Sequence, residues 1–243
     1  MIALIGALSD VGNTRELNED YMASYTSDSL NIYIIADGMG GHNAGEVASK
    51  TAVESVIEYV KKAEQISDIG NLLKRAIIYA NDEVNKLSQQ DDQLNGMGTT
   101  ITACITDGDN YIVANVGDSS CYVLADKKLI KVTKDHSLVQ QLIDEGSITE
   151  DEGKNHPNKN IITRAVGTGS DIEVDLFELD TNNLEKIILC TDGLTNEIEL
   201  DDMSRILDES NSDNMQACRE LVELAKKNGG RDNITVMVIE GKC

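Results

Sequence analysis

Tryptophan is absent from this 243-residue chain, phenylalanine and proline occur once each (Phe177 and Pro157), and aromatic residues make up only 3% of it. So few flat rings leave little for stacking on unpaired bases, the usual grip on single-stranded nucleic acid. Basic residues are also scarce: 21 Lys and Arg stand against 43 Asp and Glu, for a net charge of −22. A surface of that sign repels phosphate backbones and anionic bilayers, so neither nucleic acid nor a membrane is an expected partner. No apolar run approaches the ~20 residues that cross a bilayer. The apolar start, 2–8, is too short for a secretory leader and lacks its basic flank. The five cysteines, Cys104, Cys121, Cys190, Cys218 and Cys243, are odd in number and have no paired spacing. That pattern argues against a disulfide framework and against a zinc site, and suits a reducing cytosol. The expected location is therefore cytoplasmic.

What is present is the composition of a globular chain, 40% hydrophobic and 26% charged, long enough to bury a substantial core without staples. No repeat, linker or low-complexity segment divides it, so 1–243 reads as one domain. Strand-like runs fall at 1–8, 21–26, 31–36, 99–106, 111–116, 121–124, 129–132, 187–190 and 234–239. Ile172, Val174 and Leu176 alternate as a half-buried strand would. One helix is expected from Asn43, with Glu46 in capping-box position. Others are expected over about 68–88, 137–145 and 215–227, the last closed by Asn228-Gly229-Gly230. The stretch 147–161, polar and holding Pro157, reads as a flap at about 144–163. Strands outnumber helices, short turns join neighbouring strands, and the helices come in pairs. The expected class is α+β, with antiparallel sheets and helices outside them.

The most informative stretch is NIYIIADGMGGHNAGE, 31–46. An apolar run suited to a buried strand stops at Asp37-Gly38, so an acid is held at the edge of the core. Gly38 can offer its carbonyl with no side chain in the way. Oxygen donors of this kind suit Mg²⁺ or Mn²⁺, although Asp-Gly alone is more often a turn. The setting recurs. Asp118 and Asp192 also follow buried runs and touch a glycine, and Asp232 follows Gly229-Gly230 and precedes the last strand. Four converging carboxylates would repel one another unless cations sat between them. Two metals about 3.5–4 Å apart, bridged by a carboxylate, suit in-line displacement at phosphorus, with an acidified water as nucleophile.

The pieces SDVGNTRELNED (9–20), ADGMGGHNAGEVAS (36–49), GMGTT (96–100), NVGDSSCYVL (115–124), KDHS (134–137), TDGLT (191–195) and RDNITVMV (231–238) occur in one order along nearly the whole chain. In this the chain resembles the metal-dependent serine/threonine protein phosphatases of type 2C, in their compact bacterial form. The resemblance implies a central sandwich of two antiparallel β-sheets flanked by helix pairs, with a small flap subdomain. It implies that Asp37 bridges two Mn²⁺ or Mg²⁺ ions, that Gly38 lends a carbonyl to one, and that Asp192 and Asp232 complete the other. Glu19 and Asp20 would stand close by, through waters or as direct ligands. Asp118 would hold a third, weaker ion, and Arg15 would grip the substrate phosphate, a task suited to a bidentate guanidinium.

Two departures stand out. Met39 takes the place of a histidine found after Asp-Gly in animal members, which leaves the general acid to be reassigned. His42 is one candidate, and a bystander on the rim is the alternative. Ser120 replaces an arginine common after Gly-Asp-Ser, at an expected cost in local packing or surface charge.

The implied reaction is hydrolysis of phosphoserine and phosphothreonine by a hydroxide bridging two metals, without a phosphoenzyme. Phosphorylated proteins, a Ser/Thr protein kinase among them, are the implied partners, and the chain is expected to be a monomer. A two-metal phosphodiesterase or nuclease is the enzymatic rival, disfavoured by the charge. A degenerate binding scaffold is the other, disfavoured by the intact Asp37, Asp192 and Asp232. No cysteine lies in a Gly-rich, Arg-ended loop, so thiolate chemistry is not expected.

Overall fold

The computed structural model describes residues 4–41, 44–64, 66–154, 156–210 and 212–241. Among the described residues eleven strands form two antiparallel sheets. The first contains β1 (Ile5–Asp10), β7 (Ser120–Ala125), β8 (Lys128–Lys131), β10 (Leu184–Cys190) and β11 (Ile234–Glu240), in the order β1-β11-β10-β7-β8. The second contains β2 (Asp20–Thr26), β3 (Asn31–Met39), β5 (Ile101–Thr106), β6 (Tyr111–Val116) and β9 (Asp175–Glu178), in the order β2-β3-β5-β6-β9. A two-residue strand, β4 (Gly98–Thr99), pairs with the end of β3.

Helices α1 (Ala44–Lys61) and α2 (Ile69–Gln90) cover the second sheet, while α6 (Leu200–Glu209) and α7 (Asn214–Asn228) cover the first. The result is a four-layer α+β sandwich, as the family resemblance implies. The layering explains why 32–36 is apolar without alternation. Ile32, Ile34 and Ala36 pack toward α1 and α2, while Tyr33 and Ile35 pack between the sheets against Cys104, Ile187, Leu189 and Met237. A strand of a middle layer is buried on both faces, so its period-2 signal disappears.

Among the elements that differ from expectation, three are instructive. β3 runs through Asp37 to Met39, because Gly38 and Met39 pair with Thr99 and Gly98. Asp37 therefore lies inside a strand and not after one. β9 begins at Asp175, and its phase is the reverse of the expected one. Phe177 turns toward the sandwich core and Leu176 is 38% exposed, while Ile172 and Val174 reach the helix-side core from a loop. Helix α6 has no counterpart in the sequence reading. Its apolar face is only Met203, Ile206 and Leu207, set among acids. Two of those acids, Asp201 and Asp202, suit the first turn of a helix electrostatically.

The remaining α-helices among the described residues are α3 (Leu138–Asp144), capped by Ser137, α4 (Glu150–Lys154) and α5 (Asp192–Thr195). α4 lies inside the stretch 144–163 and packs Gly153 against Val139 and Ile143 of α3. Among the described residues no helix is long and apolar enough to cross a membrane.

Candidate metal centre

The two sheets bring the separated acids together. Antiparallel register sets Asp20 of β2 opposite Asp37 of β3. Asp192 opens α5 directly after β10, Asp232 lies just before β11, and β10 and β11 are neighbours. Asp118 sits at the corner where the chain leaves β6 of one sheet for β7 of the other. The sheets are tied at this edge by the Thr191 hydroxyl, which donates to Asp20 Oδ2 at 2.9 Å.

Each acid is fixed by its surroundings. The Asp37 amide donates to Thr100 Oγ1 at 2.9 Å, and its carbonyl accepts from the Thr100 amide at 2.9 Å and from Thr99 Oγ1 at 2.8 Å. Thr100 Oγ1 also lies 2.8 Å from Ser119 Oγ, beside Asp118. The motif Gly-Met-Gly-Thr-Thr therefore braces two acids at once. Asn233 orders the loop that carries Arg15 and Glu19: its Oδ1 accepts from the Glu19 amide at 2.8 Å, and its Nδ2 donates to the carbonyls of Val11 and Leu17. Asn196 Nδ2 donates to Asp192 Oδ2 at 2.9 Å, and Lys159 Nζ donates to Asn196 Oδ1 at 2.8 Å. Gly193 is required by close approach, since any Cβ there would collide with the Asn233 carbonyl. Gly38 is buried in the same way, against the Gly45 carbonyl.

Electrostatically the cluster is unbalanced. Burial raises the Asp37 carboxyl well above the usual carboxylate range, and Asp20, Asp192, Asp118 and Asp232 push it further. Burial takes Asp20 up to about 7, against hydrogen bonds from Thr235 and Thr191, with Asp192 and Asp232 adding repulsion. Asp118 also rises to about 7, through burial and then Asp192 and Asp135. Asp192 is raised by burial and by Asp232, although hydrogen bonds with Asp37 and Asn196 oppose the shift. Glu19 is raised by burial, with Arg15 pulling the other way. Among the described residues Glu19 Oε1 and Asp20 Oδ1 are buried with no hydrogen-bond partner, and an orphaned buried oxygen is costly unless a cation or water satisfies it.

Divalent cations fit this donor set. Among the described residues no three Asp, Glu, His or Cys side chains already form a closed ligand group. Mg²⁺-type ions do not need one, since they keep several waters and take one or two carboxylates.

Arg15 lies at the same edge, half exposed, with Nη2 donating to Asp232 Oδ2 at 2.9 Å. Its own desolvation opposes the charge, but Asp232, Glu19 and Asp37 outweigh that and hold the guanidinium more firmly protonated. Its ion-pair partner is thus a cluster acid from the far end of the chain and not the neighbouring Glu16. His42 lies outside the described residues, as does the cap residue Asn43. Met39 is the partly buried last residue of β3. Ser120 is 1% exposed as the first residue of β7, so its replacement of arginine concerns packing and not surface charge. A cleft of about 880 Å³ opens beside Asp118 and Asp192, between the stretch holding Lys154, His156 and Lys159 and the start of α6 at Glu199 and Leu200.

The sequence reading missed Thr100, Thr191, Asn196 and Asn233. All four lie in or beside the motifs already singled out, which was the available signal, but their partners are distant in sequence.

The protein phosphatase 2C family model matches residues 13–230, most of the chain. The chain belongs to the protein phosphatase 2C family. It is 38% identical over 236 residues to the serine/threonine phosphatase stp of Listeria monocytogenes, covering 96% of this chain and 93% of that one. Its structure is similar to serine/threonine phosphatase Stp1 from Staphylococcus aureus, with a TM-score of 0.91, 30% identity and coverage of 100% and 96% of the two chains. It is also similar to the catalytic domain of the serine/threonine protein phosphatase PstP solved with two manganese ions, with a TM-score of 0.83, 31% identity and coverage of 98% and 97%. As a member of the protein phosphatase 2C family the chain is a metal-dependent phosphoprotein phosphatase.

Proposed function

We propose that the chain removes phosphate from phosphoserine and phosphothreonine in proteins at the carboxylate cluster, with Asp37, Gly38, Asp192 and Asp232 holding two Mn²⁺ or Mg²⁺ ions. Glu19 and Asp20 stand beside them, and Asp118 serves a third, weaker ion. The observation that carries this reading is the cluster's imbalance: five aspartates act on one another at one sheet edge, and buried oxygens of Glu19 and Asp20 lack partners among the described residues. The two manganese ions of the PstP structure support the number and kind of metal. When bound, such ions would acidify a water into the nucleophile and draw charge off the phosphoryl oxygens.

The chain's own residues do the rest. Arg15 swings between Asp232 and the phosphate, offering a planar fork to two oxygens. Thr100, Thr191, Asn196 and Asn233 hold the acids and the Arg15 loop without moving, which keeps the reorganisation cost of the reaction low. His42 donates the proton that a departing serine oxygen needs. The stretch 144–163 acts as a flap, and the polypeptide on either side of the phosphoserine runs through the cleft beneath it. The substrates include a Ser/Thr protein kinase, the site of action is the cytoplasm, and the acidic surface keeps the protein a monomer by self-repulsion.

The deciding experiment is phosphate release from a phosphoserine peptide. Turnover should need added Mn²⁺ or Mg²⁺ and stop with EDTA. Release that continues in EDTA would overturn the two-metal reading. Cleavage of a phosphodiester in preference to the peptide would favour the phosphodiesterase rival.

A further inference from the structure

The motif Lys-Asp-His-Ser, 134–137, has no part in the chemistry above, yet its histidine is among the most constrained residues near the site. His136 is 8% exposed and lies in the loop between β8 and α3. Its ring Nδ1 accepts from the Gly117 amide at 3.0 Å, and its own amide donates to the Gly117 carbonyl at 2.9 Å. Gly117 immediately precedes Asp118 and has φ of +105°, a conformation that L side chains rarely adopt. A Cβ there would also crowd Thr100, the residue that braces Asp37.

Because Nδ1 accepts, the ring proton must sit on Nε2, and it points at Asp175 Oδ2, 3.2 Å away. Burial lowers the histidine's pKa, with Arg164 acting the same way against Asp175, which favours this neutral form. Arg164 Nη1 approaches the same ring nitrogen at 3.0 Å but directs its hydrogen bond to Asp175 Oδ1 at 2.7 Å, so both donors converge on one carboxylate. Sheet register places Asp175 opposite Asn115, whose Nδ2 in turn donates to the Gly117 carbonyl at 3.2 Å. The Gly117 turn is therefore held from both sides by one connected set of polar groups.

We propose that His136 is a positioning residue for the phosphatase reaction: backed by Asp175 and Arg164, it fixes the Gly117 turn that aims Asp118. This rests on the reading of Asp118 as ligand of a third ion. His136 touches neither substrate nor metal; it decides where the Asp118 carboxylate stands.

The test contrasts two near-isosteres. Asn at 136 keeps an acceptor where Nδ1 was, while Gln puts its acceptor nearer Nε2, and Leu has none. In the EDTA-treated full chain, Gly117 amide exchange should be as slow in His136→Asn as in the wild type. It should be about five- to tenfold faster in His136→Gln and His136→Leu, the size of one lost hydrogen bond. With Mn²⁺ and a phosphoserine peptide, the Gln and Leu variants should lose kcat toward the level of Asp118→Ala with KM unchanged, and Asn should restore it. Adding His136→Leu to Asp118→Ala should cost nothing more.

Unchanged Gly117 exchange in the Gln variant, or a full additional loss in the double variant, would overturn the proposal. If the Leu variant does not fold, judged by circular dichroism, the Asn and Gln pair decides alone. Full turnover in Asp118→Ala would end the third-ion reading instead, and the exchange measurement would then judge His136 without it.

Discussion

Strand β10 has a buried lysine near one end and a partly buried aspartate past the other, and the two ends are built on opposite rules. Near its start, Lys186 is 4% exposed and donates to Asn214 Oδ1, with Glu240 Oε2 at 3.5 Å. Asn214 Nδ2 closes the network onto Glu240 and the Leu4 carbonyl. Opposite charges and neutral amides answer one another there. Just past the other end, Asp192 enters a cluster of aspartates that the Arg15–Asp232 ion pair does not balance, with two buried carboxylate oxygens close by that have no partner among the described residues. A balanced buried network serves the fold, because its polar groups are already satisfied. An unbalanced one is a liability unless something absent from the chain balances it, and here that is a cation.

Removing a group from each end should sharpen the contrast. Asp37→Asn or Asp192→Asn should lower phosphopeptide turnover by about 10³-fold or more, the size of a lost metal contribution of several kcal/mol. The metal-free melting temperature should not fall, because a repelling charge has gone. Lys186→Met should do the reverse. It takes the donor from Asn214 Oδ1 and the counter-charge from Glu240, costs about 1–3 kcal/mol of stability, and leaves turnover per folded molecule unchanged. Near-normal turnover in either Asn variant at saturating Mn²⁺ would sink the assignment of the acids.

The next effect separates chemistry from binding. A serine alkoxide leaves poorly and needs a proton, whereas p-nitrophenolate needs none. His42→Ala should slow a phosphoserine peptide by ~10²-fold and barely touch p-nitrophenyl phosphate. Equal losses on both would mean that the change disturbed metal or phosphate binding. Arg15→Ala follows, with about a tenfold rise in KM for phosphopeptides and a smaller fall in kcat, since the grip already exists in the ground state. An unchanged KM would leave Arg15 as the partner of Asp232 and nothing more.

The acids were visible in the sequence because each breaks an apolar run or borders glycine, a local pattern. Their supports were not, because each reaches across the fold. Thr191 meets Asp20 from 171 residues away, Thr100 meets Asp37 from 63, and Asn233 meets Glu19 from 214. Paired helices and turn-linked strands point to antiparallel sheets with helices outside them, while the two-sheet sandwich is implied only by the family resemblance. Helix α6 escaped because three apolar residues among acids make a weak stripe, and only packing on the first sheet reveals its face. Asp-Gly signals a turn, which puts Asp37 past its strand. Pairing with β4 overrides that signal, and nothing near Asp37 in the sequence announces β4.

The smallest expected effect is on stability and depends on pH. In the metal-free fold Asp20 and Asp118 titrate at about 7, chiefly through burial, whereas in the unfolded chain an aspartate titrates at about 3.9. Between those values the folded state binds more protons than the unfolded one, so the free energy of unfolding must fall as pH rises. The stabilisation is complete below about pH 4 and is lost as pH climbs through about 7. In EDTA the melting temperature should therefore drop between about pH 5 and pH 8, and Asp20→Asn should remove part of the drop. The surface acids of a chain with net charge −22 contribute a slope of the same sign, but salt screens exposed charges far more than buried ones. The slope that persists in high salt belongs to the cluster. Saturating Mn²⁺ should abolish that slope, because cations then do at pH 8 what protons do at pH 5. A metal-free protein equally stable across this range in high salt would mean that the cluster acids are solvated, and the contrast between the two ends of β10 would fail.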